Sequence, residues 1–240
     1  MKRDLRIACV IVVGIIGARA TLNAQQVRAE EVVAACAEAL GGSAAIDAVR
    51  TLRLTYRLPD HGGGAAVLEI RRPNLLRMGD FAVFDGTRAA LLDQPPLPDG
   101  SERPAELVDA AEWPDFEMQI GWFFPAFFDY PSEYGGIEVI EGIETHKLHV
   151  QLPLGVRLTY FVDAATDLPL MLESHVPLNG KDHRYSRFFG QYGETAGILY
   201  PRTFTYYSFH VRQMFTVAID ELEINVPLDA SRFAIPAQLR

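Results

Sequence analysis

The sequence predicts a mainly β domain of antiparallel strands, with a few short helices laid against it. Three observations carry this: apolar and polar residues alternate over several short stretches, turn-forming residues separate those stretches, and helical periodicity is confined to two places, residues 27–49 and 113–130.

The chain opens on Lys2, Arg3 and Arg6 and runs directly into the apolar stretch from Ile7 to Ala18. A basic start followed by a short apolar run is the pattern of a secretory signal peptide. A membrane-spanning helix needs about 20 apolar residues, and Arg19 ends this run short of that. Cleavage is the expected fate, and an uncleaved anchor is the other reading. Small residues offer two sites, after Ala20 and after Ala24. Residues 1–24 are therefore read as a leader and 25–240 as one exported domain. Cys9 lies inside the apolar run with no apolar stretch before it, so it is poorly placed to become the acylated first residue of a lipoprotein. Beyond the leader Cys36 is the one remaining cysteine, so no internal disulfide is available and the core must supply stability.

The formal net charge is -9, and the leader holds mostly basic residues, so the exported part is more acidic still. That balance argues against nucleic acid and against anionic membrane surfaces as partners.

Val32, Val33, Cys36 and Leu40 recur at helical spacing, and Gly41-Gly42 supplies a stop. Ser43 is placed to cap a short second helix carrying Ile46 and Val49. From Thr51 the period becomes two, with Leu52, Leu54, Tyr56 and Leu58 on one face. The same alternation returns in Ala66-Val67-Leu68-Glu69-Ile70, in 148–152, in 156–162 and in 215–219. Asp85-Gly86, Glu141-Gly142 and Asn179-Gly180 mark turns between strands. In the last strand the apolar phase slips between Ile219 and Leu222, which predicts a β-bulge near Asp220.

Residues 94–136 break the pattern. A proline-rich acidic loop precedes a helical stripe of Trp113, Phe116, Ile120, Phe123, Phe127 and Tyr130, which Pro125 must divide into two pieces. Two readings stand side by side: the stripe plugs the open side of the sheet, or it is a lid over an apolar cavity that a ligand enters by displacing it.

Catalytic signatures are missing. There is no G-x-S-x-G, H-E-x-x-H, C-x-x-C or glycine-rich phosphate loop. His146 and His149 fall on opposite faces of one strand and cannot share a metal. The reading is a binding protein and not an enzyme, with no catalytic residues, no metal and no cofactor.

Arg72-Pro73-Asn74-Leu75, Val83-Phe84-Asp85-Gly86-Thr87, Phe161 to Pro169 and the ending Asp229 to Pro236 follow one another in an order that resembles the LolA-like family of periplasmic lipoprotein-sorting carriers. The likeness covers nearly all of the chain beyond the leader. It implies an unclosed antiparallel β half-barrel covered by short helices, in the periplasm, with a cavity for acyl chains of a lipid or lipoprotein. The inward faces of the strands then supply Leu54, Tyr56, Leu68, Ile70 and Tyr160. The lid supplies Phe116, Ile120, Phe123 and Phe127. In the family the arginine of the R-P-N-L stretch latches the lid, a role that maps onto Arg72. The proline-rich loop and the aromatic block at 94–136 depart from the family's pattern. They leave open a second function, an envelope-complex subunit that docks a protein partner through the aromatic segment 113–134.

Overall fold

The computed structural model describes residues 25–61, 64–94, 96–97, 99–109, 115–178, 180–209 and 212–239. The expected leader, Trp113 and Pro114 lie outside these residues.

Helix α1 (25–39) buries Ala29, Val32 and Cys36 along one face. Its end turns on Gly41, whose φ of 134° and close approach to the Gly197 carbonyl leave no room for a side chain. Helix α2 (Ser43–Ala48) is capped by Gly42 and not by Ser43. The Ser43 hydroxyl and N–H both point back to the Glu38 carboxylate, at 2.7 and 3.1 Å, because the tight reversal out of α1 brings that acid within reach.

Among the described residues thirteen strands form one sheet: β1 (Thr51–Arg57), β2 (Ala66–Arg71), β3 (Leu75–Met78), β4 (Ala82–Phe84), β5 (Arg88–Leu91), β6 (Glu106–Asp109), β7 (Ser132–Ile140), β8 (Ile143–Gln151), β9 (Arg157–Asp163), β10 (Pro169–Leu178), β11 (Lys181–Phe189), β14 (Thr203–Ser208) and β15 (Gln213–Ile224). The hairpin β12 (Tyr192–Thr195) and β13 (Ile198–Pro201) stands apart from it. The spatial order is β6-β5-β4-β3-β2-β1-β15-β14-β11-β10-β9-β8-β7, every pairing being antiparallel. The first strand pairs with the last, and β6 and β7 remain as edges that do not meet. The architecture is thus an unclosed antiparallel half-barrel. In β15, Glu221 pairs with Thr55 and Ile219 with Tyr56, which places the bulge at Asp220.

Two strands occupy a region where the sequence predicts only loop and helix. β6 and the start of β7 are edge strands, and edges have one partner and little burial to impose an apolar alternation. Gly135-Gly136 adds a register shift in β7, and Ile137 and Val139 point to solvent.

The chain between these two edges carries helix α3 (Asp115–Phe123) and a 3-10 turn (Ala126–Phe128). Pro125, with φ -58° and ψ 119°, separates the two pieces. Because its flanking strands are the opposite margins of the sheet, this segment must cross the concave face, and its aromatic side has a core to enter. On the other face a smaller cluster joins Val83 and Ala90 to Leu228, Phe233 and Ile235. Arg232 fixes that C-terminal turn through Glu69, at 2.8 Å, and Arg53 holds the same carboxylate at 3.0 Å.

Candidate functional site

The underside of α3 is aromatic and faces inward. Phe116 stacks on Phe84 at 6.0 Å, Phe123 meets Phe204 at 5.5 Å and Tyr56 at 6.1 Å, and Trp122 meets Tyr206 at 5.1 Å. Past Pro125, Phe127 packs edge-on against Tyr160 at 4.8 Å. Phe116, Trp122, Phe124 and Phe127 are buried, so these aromatic rings do not form an exposed docking surface.

Polar contacts hold the segment down at several points, among them the Arg187 guanidinium on the Trp122 carbonyl. The fully buried Tyr160 hydroxyl donates to the Gly121 carbonyl at 2.7 Å and accepts from the Ala126 N–H at 2.9 Å, spanning the break at Pro125. Gly121 allows this approach: a Cβ there would lie 2.7 Å from Leu158 Cδ1. Trp122 Nε1 donates to Ser174 Oγ at 3.2 Å. Glu117 accepts the Leu154 N–H at 3.0 Å. Arg72 makes the widest tie. Its Nη1 donates to the carbonyls of Ile46 and Val49 at the end of α2, at 2.8 and 2.9 Å. Its Nη2 reaches Asp129 at 2.9 Å, and its guanidinium lies over Phe124 at 4.2 Å.

Two voids with largely apolar walls lie beneath α3. One of about 50 Å³ is bounded by α2, by β1 and β15 and by the β12–β13 hairpin. The other, of about 220 Å³, lies between the ends of β1 and β3 and the β14–β15 pair. Trp122 and Phe123 belong to both and form the partition. A larger concavity of about 730 Å³ is bordered by His149, Arg157, Thr159 and His175 and has no such apolar lining.

Comparison with known proteins comes from structure. No family model and no curated protein matches the chain. Among solved structures it is similar to a DUF1329 family protein from Desulfovibrio piger, with 10% identity over 88% of this chain and 97% of that one at a TM-score of 0.48. It is also similar to a LolA superfamily protein from Nitrosomonas europaea, with 11% identity over 78% of this chain and 89% of that one at a TM-score of 0.45.

The residues expected to line a cavity separate into groups. Tyr56 walls the larger void, Tyr160 the smaller, and Phe123 both. Ile120 borders a crevice of about 10 Å³ near Asp129. Leu54, Leu68, Ile70 and Phe116 are buried in the main core and line neither void, while Phe127, buried in the same core, borders a hollow of about 370 Å³ against α1 and α2. Among the described residues no group of three or more His, Cys, Asp and Glu side chains is placed to hold a metal. Cys36 is buried, and burial pushes its thiol pKa far up, which leaves it unreactive.

Two charged residues of the site escape the sequence reading. Arg187 on β11 is 1% exposed, with its guanidinium 3.3 Å from the Phe204 ring centre and 4.2 Å from that of Trp122. Its Nη1 donates to the Trp122 carbonyl. Burial pulls its pKa down, but a guanidinium starts so high that it keeps its charge at neutral pH.

The second is Glu117, 3% exposed, whose carboxyl is pushed up to about 7 by burial, against the opposing effect of the Leu154 N–H. In the unfolded chain a Glu titrates near ~4.3. Between those values the folded state keeps a proton that the unfolded state has released, so stability falls as pH rises through the window and levels off above about 7. At about 1.4 kcal/mol per pKa unit the shift is worth roughly 3–4 kcal/mol, which solvent screening of a carboxyl near the surface cuts to on the order of 2–3 kcal/mol. Glu117→Gln can still accept the Leu154 N–H, so it should be the more stable protein at pH 8 and show a flatter profile. Urea midpoints of both proteins at pH 5 and pH 8 check this, and equal declines in the two would refute it.

Proposed function

We propose that the chain beyond residue 24 is an exported, periplasmic carrier that holds an acyl chain, free or borne by a lipoprotein, or another apolar ligand beneath α3. The observation that carries this reading is the partitioned pair of voids under an aromatic helix that crosses between two unpaired sheet edges. Ligand pockets typically span ~300–1,000 Å³. The voids here are smaller, at about 50 and 220 Å³, so this is the closed state and loading requires α3 to lift. Most of the ties that resist lifting are single hydrogen bonds, and Arg72 acts as the latch. Each CH₂ moved from water into the space beneath α3 contributes about 0.8 kcal/mol, so a long aliphatic chain can offset both the broken ties and the displaced aromatic contacts. Among the described residues no helix is long and apolar enough to cross a membrane, and the acidic charge disfavours anionic bilayer surfaces.

Native mass spectrometry and solvent extraction of the purified protein test the proposal. The expected result is a co-purifying lipid, or stoichiometric uptake of a fluorescent fatty acid after delipidation. The absence of both, no co-purifying lipid and no uptake, would overturn it.

A further inference from the structure

Among the described residues, Nε and Nη2 of Arg187 are the buried side-chain polar atoms left without a hydrogen-bond partner. They sit in an aromatic box with no carboxylate bonded to them, although the protein is strongly acidic overall. Cation–π contact recovers part of the lost hydration, but an uncompensated buried charge remains costly, and a well-packed apolar residue would fill the place at less cost. The position of Arg187 gives the charge a use. The residue lines the larger void and lies 5.9 Å from Phe189, which lines the smaller one, while Trp122 and Phe123 stand between the two.

We propose that Arg187 is the receptor for the carboxylate of a long-chain aliphatic acid whose tail runs through the merged voids once Phe123 swings aside. This rests on the carrier reading and names its ligand class. Nη1 is already engaged by Trp122, which leaves Nε and Nη2 as two adjacent donors on one edge of a planar fork. That edge matches the two oxygens of a carboxylate. A monoanion neutralises the single guanidinium, whereas a dianionic phosphate head carries charge that no second cation in this box would meet. Leu58, Met78 and Val217 continue the wall in apolar contact, and Tyr56, Tyr206 and Gln119 share it.

Calorimetric titration of the delipidated protein with dodecanoate, dodecanol and dodecyl phosphate, each below its micelle threshold, tests the assignment. Dodecanoate should bind roughly ten- to a hundred-fold tighter than dodecanol. Arg187→Met should bind the two alike and be at least as heat-stable as the parent, since it removes an uncompensated charge. Equal affinities for acid and alcohol in the parent protein would overturn this assignment and leave the carrier standing. Binding of none of the three overturns both. Tighter binding of dodecyl phosphate overturns the choice of carboxylate, and so does an acid preference that survives in Arg187→Met. If that variant does not fold, the parent's preference between acid and alcohol still decides.

Discussion

Arg72→Leu is expected to cost about 3–5 kcal/mol of stability and to speed the uptake of a fluorescent fatty acid. The first effect follows from what the change leaves behind. Arg72 and Asp129 are 9% and 14% exposed at their side chains, and removing one member of such a pair strands the other charge where water hardly reaches. The substitution also frees the Ile46 and Val49 carbonyls at the end of α2, which no longer receive a charged donor. The second effect follows from geometry, because Arg72 joins α2 to the chain just after the 3-10 turn, and that turn is the continuation of α3. Pairing Arg72→Leu with Asp129→Leu separates the two effects. The double variant should regain most of the lost stability, having no stranded charge, while keeping the faster uptake. Thermal denaturation and stopped-flow fluorescence measure them independently. Uptake unchanged in both variants would show that Arg72 is a structural tie and not a latch.

Much of the fold is legible in the sequence because burial on one face of a strand imposes a period that nothing else in the chain produces. Leu52, Leu54 and Tyr56 declare β1 in this way, and the phase slip from Ile219 to Leu222 declares the bulge at Asp220. The broken helix is readable for the same reason, since Phe116, Ile120 and Phe127 must all face inward while Pro125 forbids one continuous rod. β6 and the start of β7 were hidden because an edge strand has half the constraints of a central one.

The site is less legible than the fold. Phe123 and Tyr160 can be found from periodicity and from the family resemblance, but neither source distinguishes a residue that walls a void from one that fills the core beside it. Leu54, Leu68 and Ile70 have the same pattern as Tyr56 and sit beside it on the same face of β1 and β2 without lining the void, because where the void falls depends on how α3 seats across the sheet. Arg187 is hidden for a different reason. In the stretch Tyr185-Ser186-Arg187-Phe188-Phe189 a cation between aromatics reads as a solvated residue on the outer face. Only the pairing of Arg187 with Leu172 on one side and Tyr206 on the other turns it inward, and register across three strands is not written in any one of them. The signal that could have found it is the aromatic load on both faces of the late strands, which requires that one face be covered.

Tyr160→Phe is the second large effect and the cleanest probe of how the covering segment is held. The substitution removes one oxygen and keeps the ring, so the edge-on contact with Phe127 survives. What it strands are two backbone groups, the Gly121 carbonyl and the Ala126 N–H, both of which use that hydroxyl as their partner. Both Gly121 and Ala126 are buried, so water is a poor replacement for that hydroxyl. Each unsatisfied buried group costs about 1–3 kcal/mol, so the expected loss for the two is about 2–6 kcal/mol, large for the deletion of a single atom. The loss should be local before it is global. Amide hydrogen exchange of α3 and the 3-10 turn should accelerate far more than that of the central strands β1 and β15, since the broken bonds lie on either side of Pro125 and not in the sheet. If the segment is the lid, the same variant should take up a fluorescent fatty acid faster than the parent protein. If the segment is only a plug, exchange will rise with no change in uptake. Uniform acceleration across sheet and helix would show instead that the aromatic segment and the half-barrel unfold as one unit, with no low-cost opening for a ligand to use.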